Sequence, residues 1–482
     1  MMIIQKYKTL PIAAKATIWF TLCNFLLKGI SFVSGPVFTR LLPEEEYGSV
    51  SVFHTYESII LILATWDIQL GAYQKGLYKY KDDVENFTSS SQLLTSTLTV
   101  VFFSILGIFH TRFNSFTGFN DILLLILFIN VLITPSYSSW LVRCRVEFDY
   151  KKAVVATFSL AFLNFVIPAI AVLLIGNSAN IKFGTSLVVP TIFGLLIYIR
   201  NFRTFSFFKD KSKLKEYVKF DMLFSAPLIL HSLSYLVLSS ADRIMIQTYV
   251  GEKEVAYYSV AYAIANVATI FSTSINQSLI PWIFSKLETK DYKMISKVSS
   301  YIIICLAVAI MSFLLLIPEG MKLLFPANYQ EAIWCIPPVT SSVFFMFLYS
   351  LFVDFEEYYE KTKYVMYVSL FCALFNLVTN YFGIKEFGYI ACAYTTWISY
   401  ILFCIGHFYF YNKVRKKMIG ENYPFNTKII VLTSVIVSIY SIGITVLYEY
   451  ILLRYILLAL VAVAVVLMRR RMFGIIREIR KR

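Results

Sequence analysis

The 482-residue chain is 58% hydrophobic and 15% charged, with a mean hydropathy of +0.68. Soluble globular domains carry fewer apolar and more charged residues, so a soluble fold is excluded. The formal net charge of +15 would suit nucleic acid, but its placement along the chain gives it a membrane explanation and leaves no call for nucleic-acid binding.

Apolar stretches centre near residues 26, 58, 101, 130, 164, 192, 231, 268, 308, 343, 374, 400, 438 and 460. Each approaches the ~20 apolar residues that a bilayer-spanning helix needs. Most exceed the ~10 residues of a membrane-barrel strand and lack its alternation. The chain is therefore expected to be an all-α polytopic membrane protein of about 14 transmembrane helices. Lys15 and Lys28 interrupt the N-terminal region and no small-residue cleavage pattern follows, so the first span is expected to be retained.

In that first span Thr21, Asn24, Lys28, Ser31 and Gly35 recur at helical spacing, giving one polar stripe with a cation at its centre. An ionisable residue in a span faces a cavity or a partner. Arg40 lies at the outer end of the same span, and the turn around Pro43 leads into the second span, which carries His54 and Glu57. Counted from Pro43, Lys28 and Glu57 fall at nearly equal depth. Two readings follow: a neutralising structural pair, or a cation that binds an anionic headgroup while Glu57 tunes it. Asp67 and, further on, Asp221 read as boundary residues near cytoplasmic ends.

With the N terminus placed in the cytoplasm, cytoplasmic segments hold 35 of the 44 basic residues. Both ends then face the cytoplasm under the positive-inside rule. The longest cytoplasmic connection, about Arg200 to Lys219, carries seven basic residues and divides the first twelve spans six and six. The expected organisation is an N-terminal six-helix lobe (1–200), a basic inter-lobe loop (201–219), a second six-helix lobe (220–412), and an added helix pair with a basic tail (413–482). At an offset of 208, Glu44, Glu46, Ser51 and Val52 meet identical residues at Glu252, Glu254, Ser259 and Val260. This points to a parallel repeat, the arrangement in which transporters bind substrate between halves.

In the seventh span Asp242 and Arg243 adjoin, and Asp242 shares a face with His231, Tyr235 and Leu238. Arg243 is a candidate cation for substrate; the pair equally suits an interfacial anchor. Asn164, Pro168, Pro227, Asn376 and Asn380 read as kinks and interhelical hydrogen bonds. The seven dispersed cysteines read as buried, reduced packing residues. The C-terminal Arg469–Arg480 segment reads as a basic interfacial helix or as a stop-transfer flank.

The segment Arg40–Gly48 resembles the first-hairpin signature of the polysaccharide flippases in the multidrug/oligosaccharidyl-lipid/polysaccharide exporter superfamily. Ser240–Ile246 leading to Tyr258–Tyr262 resembles their seventh and eighth spans, and Asn380–Ala391 their turn between spans eleven and twelve. Tyr257 and Glu360 depart from the pattern, standing where glycine is common among relatives.

The resemblance implies two lobes around a central V-shaped cleft. It also implies translocation of undecaprenyl-diphosphate-linked oligosaccharide repeat units across a bacterial inner membrane, for O-antigen or other surface polysaccharide. A diphosphate needs cations, for which Lys28, Arg40 and Arg243 are the candidates. Glu57, His54 and Asp242 are the candidates for charge pairing or for coupling to a proton or sodium gradient. No cofactor, metal or catalytic residue is expected, and the partners are the lipid-linked oligosaccharide, the bilayer and a polysaccharide polymerase machinery. The alternatives are a multidrug or small-solute antiporter, which would favour acidic residues in its cleft, and a membrane glycosyltransferase or polymerase. Against the last, the outer connection around Pro318–Glu331 shows no acid/base or nucleophile constellation.

Overall fold

The computed structural model describes residues 11–69, 71–203, 211–361, 363–463 and 466. The described residues are helical throughout, with no strand. Thirteen helices are long and apolar enough to cross a membrane, and a shorter apolar helix, Ile451–Val463, follows them. The chain is thus the expected all-α polytopic membrane protein. The Arg469–Arg480 segment lies outside the described residues, as do positions 204–210 of the basic connection.

The chain divides into two compact units, one up to Leu236 and the other from Val237 onward. The first contains α1 (Ile12–Leu41), α2 (Glu44–Thr65), α3 (Ala72–Lys79), α4 (Val84–Ile108), α5 (His110–Thr117), α6 (Asp121–Val146), α7 (Tyr150–Ile175) and α8 (Ala179–Arg203). It also takes the first part of α9 (Lys211–Tyr249). Here α6 and α7 pack on α8, α1 packs on α7, and α2 packs on α4 and α8.

The second unit holds the rest of α9, then α10 (Glu252–Glu288), α11 (Tyr292–Leu315), α12 (Ile317–Leu324), a 3-10 helix (Ala327–Trp334), α13 (Ile336–Tyr358), α14 (Lys363–Phe387), α15 (Ile390–Ile419), α16 (Thr427–Leu447) and α17 (Ile451–Val463). Its centre is α13, which touches α10, α15 and α16 and is 78% buried over its most apolar stretch. Two short ordered helices, α12 and the 3-10 helix, occupy the outer connection around Pro318–Glu331.

The offset of 208 recurs in the helix boundaries. α1 ends at Leu41 and α9 at Tyr249, while α2 begins at Glu44 and α10 at Glu252. In both hairpins the incoming helix carries acidic residues in its first turn, where the helix dipole favours them. The corner itself differs: Pro43 pre-sets one entry, whereas Gly251, at φ +156°, makes the other.

Polar residues inside the spans are used as interhelical glue. Along α4, Ser89 donates to Asn201 O (2.8 Å), Gln92 donates to Tyr198 O (2.9 Å), and Ser91 donates to Asp221 (2.6 Å). Asp221, read as a boundary residue, is fully buried against α4; Asp67 is half-buried and accepts from Ser232 (2.8 Å). The cysteines are free and six are buried as expected, but Cys305 is exposed on α11. Glu360 stands where a glycine would fit most easily. It sits at φ +57° just past α13, where the amides of Glu360 and Lys361 return to the carbonyls of Glu357 (2.9 Å) and Glu356 (2.8 Å). That left-handed helix end is the conformation glycine adopts at least cost.

Candidate functional site

In the first unit the site is built on α2 and α8. Glu46, in the first turn of α2, accepts from the backbone N–H of Ala179 at the start of α8 (2.5 Å). This contact uses an unpaired helix-terminal donor to fix the two helices side by side. One turn into α8, Lys182 reaches His54 Nε2 (3.0 Å), and His54 Nδ1 contacts Glu57 Oε2 (2.8 Å). His54 and Glu57 are three residues apart and therefore share a helix face. An ammonium has no acceptor, so His54 Nε2 must accept and Nδ1 must carry the proton given to Glu57. The arrangement is a cation, a neutral imidazole and a carboxylate in a row. The aromatic rings of Phe38, 5.3 Å from Lys182 Nζ, and Phe183, edge-on to His54, wall it.

The structure brings together His54 and Glu57 but not Lys28 and Glu57. Glu57 pairs with His54, and among the described residues no ion pair joins it to Lys28. Lys28 is half-buried on α1, in a stripe where Thr21, Asn24 and Ser31 are exposed. Arg40 is exposed and donates back to Pro36 O (2.7 Å), a carbonyl in the last turns of α1. Lys182 was not among the expected site residues. Its place three residues into an apolar helix was the available signal.

In the second unit Asp242 is fully buried and gathers three helices. Its carboxylate accepts from Asn380 (2.6 Å), from Thr396 (2.8 Å) and from the Tyr258 hydroxyl. Asn376 completes the network through Thr396 (3.1 Å). Asn376 and Asn380 thus make the interhelical hydrogen bonds expected of them. Asp242 turns away from its neighbour: Arg243 donates to Ser239 O (3.2 Å) and lies over the Tyr262 ring at 4.8 Å. Positions 54 and 262 are equivalent by the offset of 208, and each faces a basic side chain.

A buried pair, Glu356 with His407 (3.2 Å), links α13 to α15 and was not anticipated, since nothing in the spacing connects positions 51 apart. Among the described residues no cluster of three or more His, Cys, Asp or Glu side chains forms a metal site. The Asp242 cluster has a different donor set: one carboxylate, two side-chain amides and hydroxyls. Such oxygens suit a hard cation or a proton.

A family model described as polysaccharide biosynthesis protein matches residues 13–288, more than half of the chain. The chain belongs to the polysaccharide biosynthesis protein family. A second model, MatE, matches residues 227–382 of this family member. Lsg locus putative protein 1 of Haemophilus influenzae is 24% identical over 366 residues, covering 71% of this chain and 84% of that protein. An uncharacterized membrane protein of Methanocaldococcus jannaschii is 23% identical over 438 residues, covering 83% and 84%.

Among solved structures, the lipid II flippase MurJ in an inward closed conformation superposes with a TM-score of 0.70 at 14% identity, covering 94% of this chain and all of that one. An inward-facing multidrug resistance MATE family transporter of the MOP superfamily gives 0.59 at 15% identity, covering 84% and 99%. The polysaccharide biosynthesis protein therefore has the MurJ/MATE fold.

Proposed function

We propose that this protein moves undecaprenyl-diphosphate-linked oligosaccharide repeat units from the cytoplasmic to the outer leaflet of the bacterial inner membrane by alternating access, supplying surface polysaccharide such as O-antigen. Both termini then face the cytoplasm, and a polysaccharide polymerase machinery takes up the product. The observation that carries the reading is Lys182 held by a neutral imidazole: a cation in a span whose contact is not a carboxylate is left with charge to offer an anion. Lys28 and Arg40 belong to the same unit and the same chemistry. The family membership and the MurJ-like fold support a lipid-linked substrate.

The proposal extends to coupling with an ion gradient, for which the same geometry offers a route. A proton added to His54 would turn its accepting Nε2 into a donor, break the contact to Lys182 and place two cations together. Protonation thus switches the cation's grip on a headgroup. In the second unit, Asp242 is a carboxylate among neutral donors, a setting that takes a proton or a monovalent cation such as sodium.

Lipid vesicles containing the purified protein, loaded with lipid-linked oligosaccharide in one leaflet, test the reading. Gradient-dependent appearance of the sugar in the other leaflet is expected, without formation of a glycosidic bond. Efflux of a cationic dye with no sugar movement would replace the proposal with the multidrug antiporter. New glycosidic bonds would replace it with an enzyme.

A further inference from the structure

Away from the Lys182 site, the first unit contains a cavity of about 400 Å³ where the start of α4 and α7 meets the end of α6 and α8. This volume falls in the ~300–1,000 Å³ range of small-molecule sites. Its wall has two zones. Trp140 and the outward-facing Leu196 are apolar, and Leu196 is 77% exposed on the flank of an apolar helix. Beyond them stand Arg143, Lys152 and Arg200 with Glu147 and Asp149. An apolar zone beside a mixed ionic one is what a lipid presents at the junction of its chains and its phosphate. Basic pockets between spanning helices are established headgroup sites.

The cations differ in what holds them. Arg143 is committed to the protein, bonding Glu85 (2.8 Å) and Glu147 (2.7 Å) at once. Lys152 meets only the neighbouring Asp149 (2.7 Å), its side chain 72% exposed. Such an exposed pair contributes little and exchanges its partner readily. Arg200 is exposed on the opposite wall and is likewise engaged by the protein.

We propose that this cavity binds the phosphate of a membrane lipid, with Lys152 and Arg200 on the phosphate, Glu147 and Asp149 toward hydroxyl or amine groups beyond it, and Trp140 and Leu196 against the first acyl or prenyl carbons.

Native mass spectrometry of the full chain in detergent tests this with dioctanoyl phosphatidylglycerol, dioctanoyl phosphatidylethanolamine, undecaprenyl diphosphate and inorganic phosphate as separate probes. Neutralising both cations (Lys152→Gln with Arg200→Gln) should weaken retention of a lipid roughly tenfold to thirtyfold, at ~1 kcal/mol per cation. A control lacking two exposed cations elsewhere (Lys290→Gln with Lys293→Gln) should retain it. Preference for either phospholipid assigns the site to bilayer lipid, and preference for undecaprenyl diphosphate assigns it to the polyprenyl carrier; both support a lipid-phosphate site. Equal loss in the control, undiminished binding in the double variant, or binding of inorganic phosphate but of no lipid would each overturn it.

Discussion

Replacing Asp242 separates what the buried network does for the fold from what it does for function. In Asp242→Leu the Tyr258 hydroxyl, Asn380 and Thr396 lose their common acceptor inside a fully buried pocket. Side-chain hydrogen bonds between membrane helices contribute about 0.6–1.7 kcal/mol each, so three orphaned donors cost about 2–5 kcal/mol. Asp242→Asn keeps one oxygen for Asn380, and its new N–H groups meet hydroxyls that can accept. Its cost should therefore stay near about 1 kcal/mol. Thermal unfolding of the detergent-purified variants measures the first effect and gradient-driven sugar translocation in vesicles the second. The leucine variant should unfold well below the asparagine variant, and the asparagine variant should lose its dependence on one gradient while remaining folded. A leucine variant as stable as wild type would refute the network's structural role. An asparagine variant with unchanged response to both proton and sodium gradients would refute Asp242 as a coupling site.

Lys182→Gln should lower translocation of the lipid-linked sugar roughly tenfold, the worth of one charged hydrogen bond, while leaving thermal unfolding unchanged. A Cβ added at Gly76 would lie 2.0 Å from the Phe87 ring, which stacks on Tyr73 and is fully buried, so Gly76→Ala should destabilise by about 1–3 kcal/mol in a thermal melt. Arg454, 4% exposed, bonds both carboxylate oxygens of Glu319 (2.6 and 2.8 Å), and this contact holds the Glu319 carboxyl below its ordinary range. The resulting stability is fully present above about pH 4.3 and is lost as pH falls through the depressed value; Arg454→Ala should abolish that acid limb and cost about 3 kcal/mol. Glu360→Gly, relieving a left-handed residue at the end of α13, should raise stability by about 0.5–1 kcal/mol in the same melt.

Most of the fold was legible because spans announce themselves by hydropathy alone, a property of consecutive residues. The hairpins were legible too: the matches at Glu44/Glu252 and Ser51/Ser259 mark turns whose helix boundaries repeat at the same offset. The short α3, α5 and α12 were not, since eight residues are too few to cross a bilayer and hydropathy does not mark them. The site was read in part. His54 and Glu57 stand on one face of one helix, so spacing could join them. Lys182 is 128 positions from His54 and Thr396 is 154 from Asp242, and pairings of that kind are decided by helix packing. Matching depths suggested Lys28 for Glu57, but depth does not fix rotation about a helix axis, and the α2 face bearing His54 and Glu57 is turned to Lys182 on α8.

The polar edge of α4 sets a schedule for how the protein is made. Ser91 donates to Asp221, which lies 130 residues later in the chain. At ~5–20 residues per second, the hydroxyl precedes its acceptor by roughly 6–26 s of synthesis. Gln92, too, must await Tyr198 and Asn201. The third span thus leaves the ribosome carrying hydrogen-bonding groups whose partners do not yet exist. Until the sixth and seventh arrive it needs shelter, from the insertion machinery or from its own neighbours, against the hydrocarbon it will later adjoin.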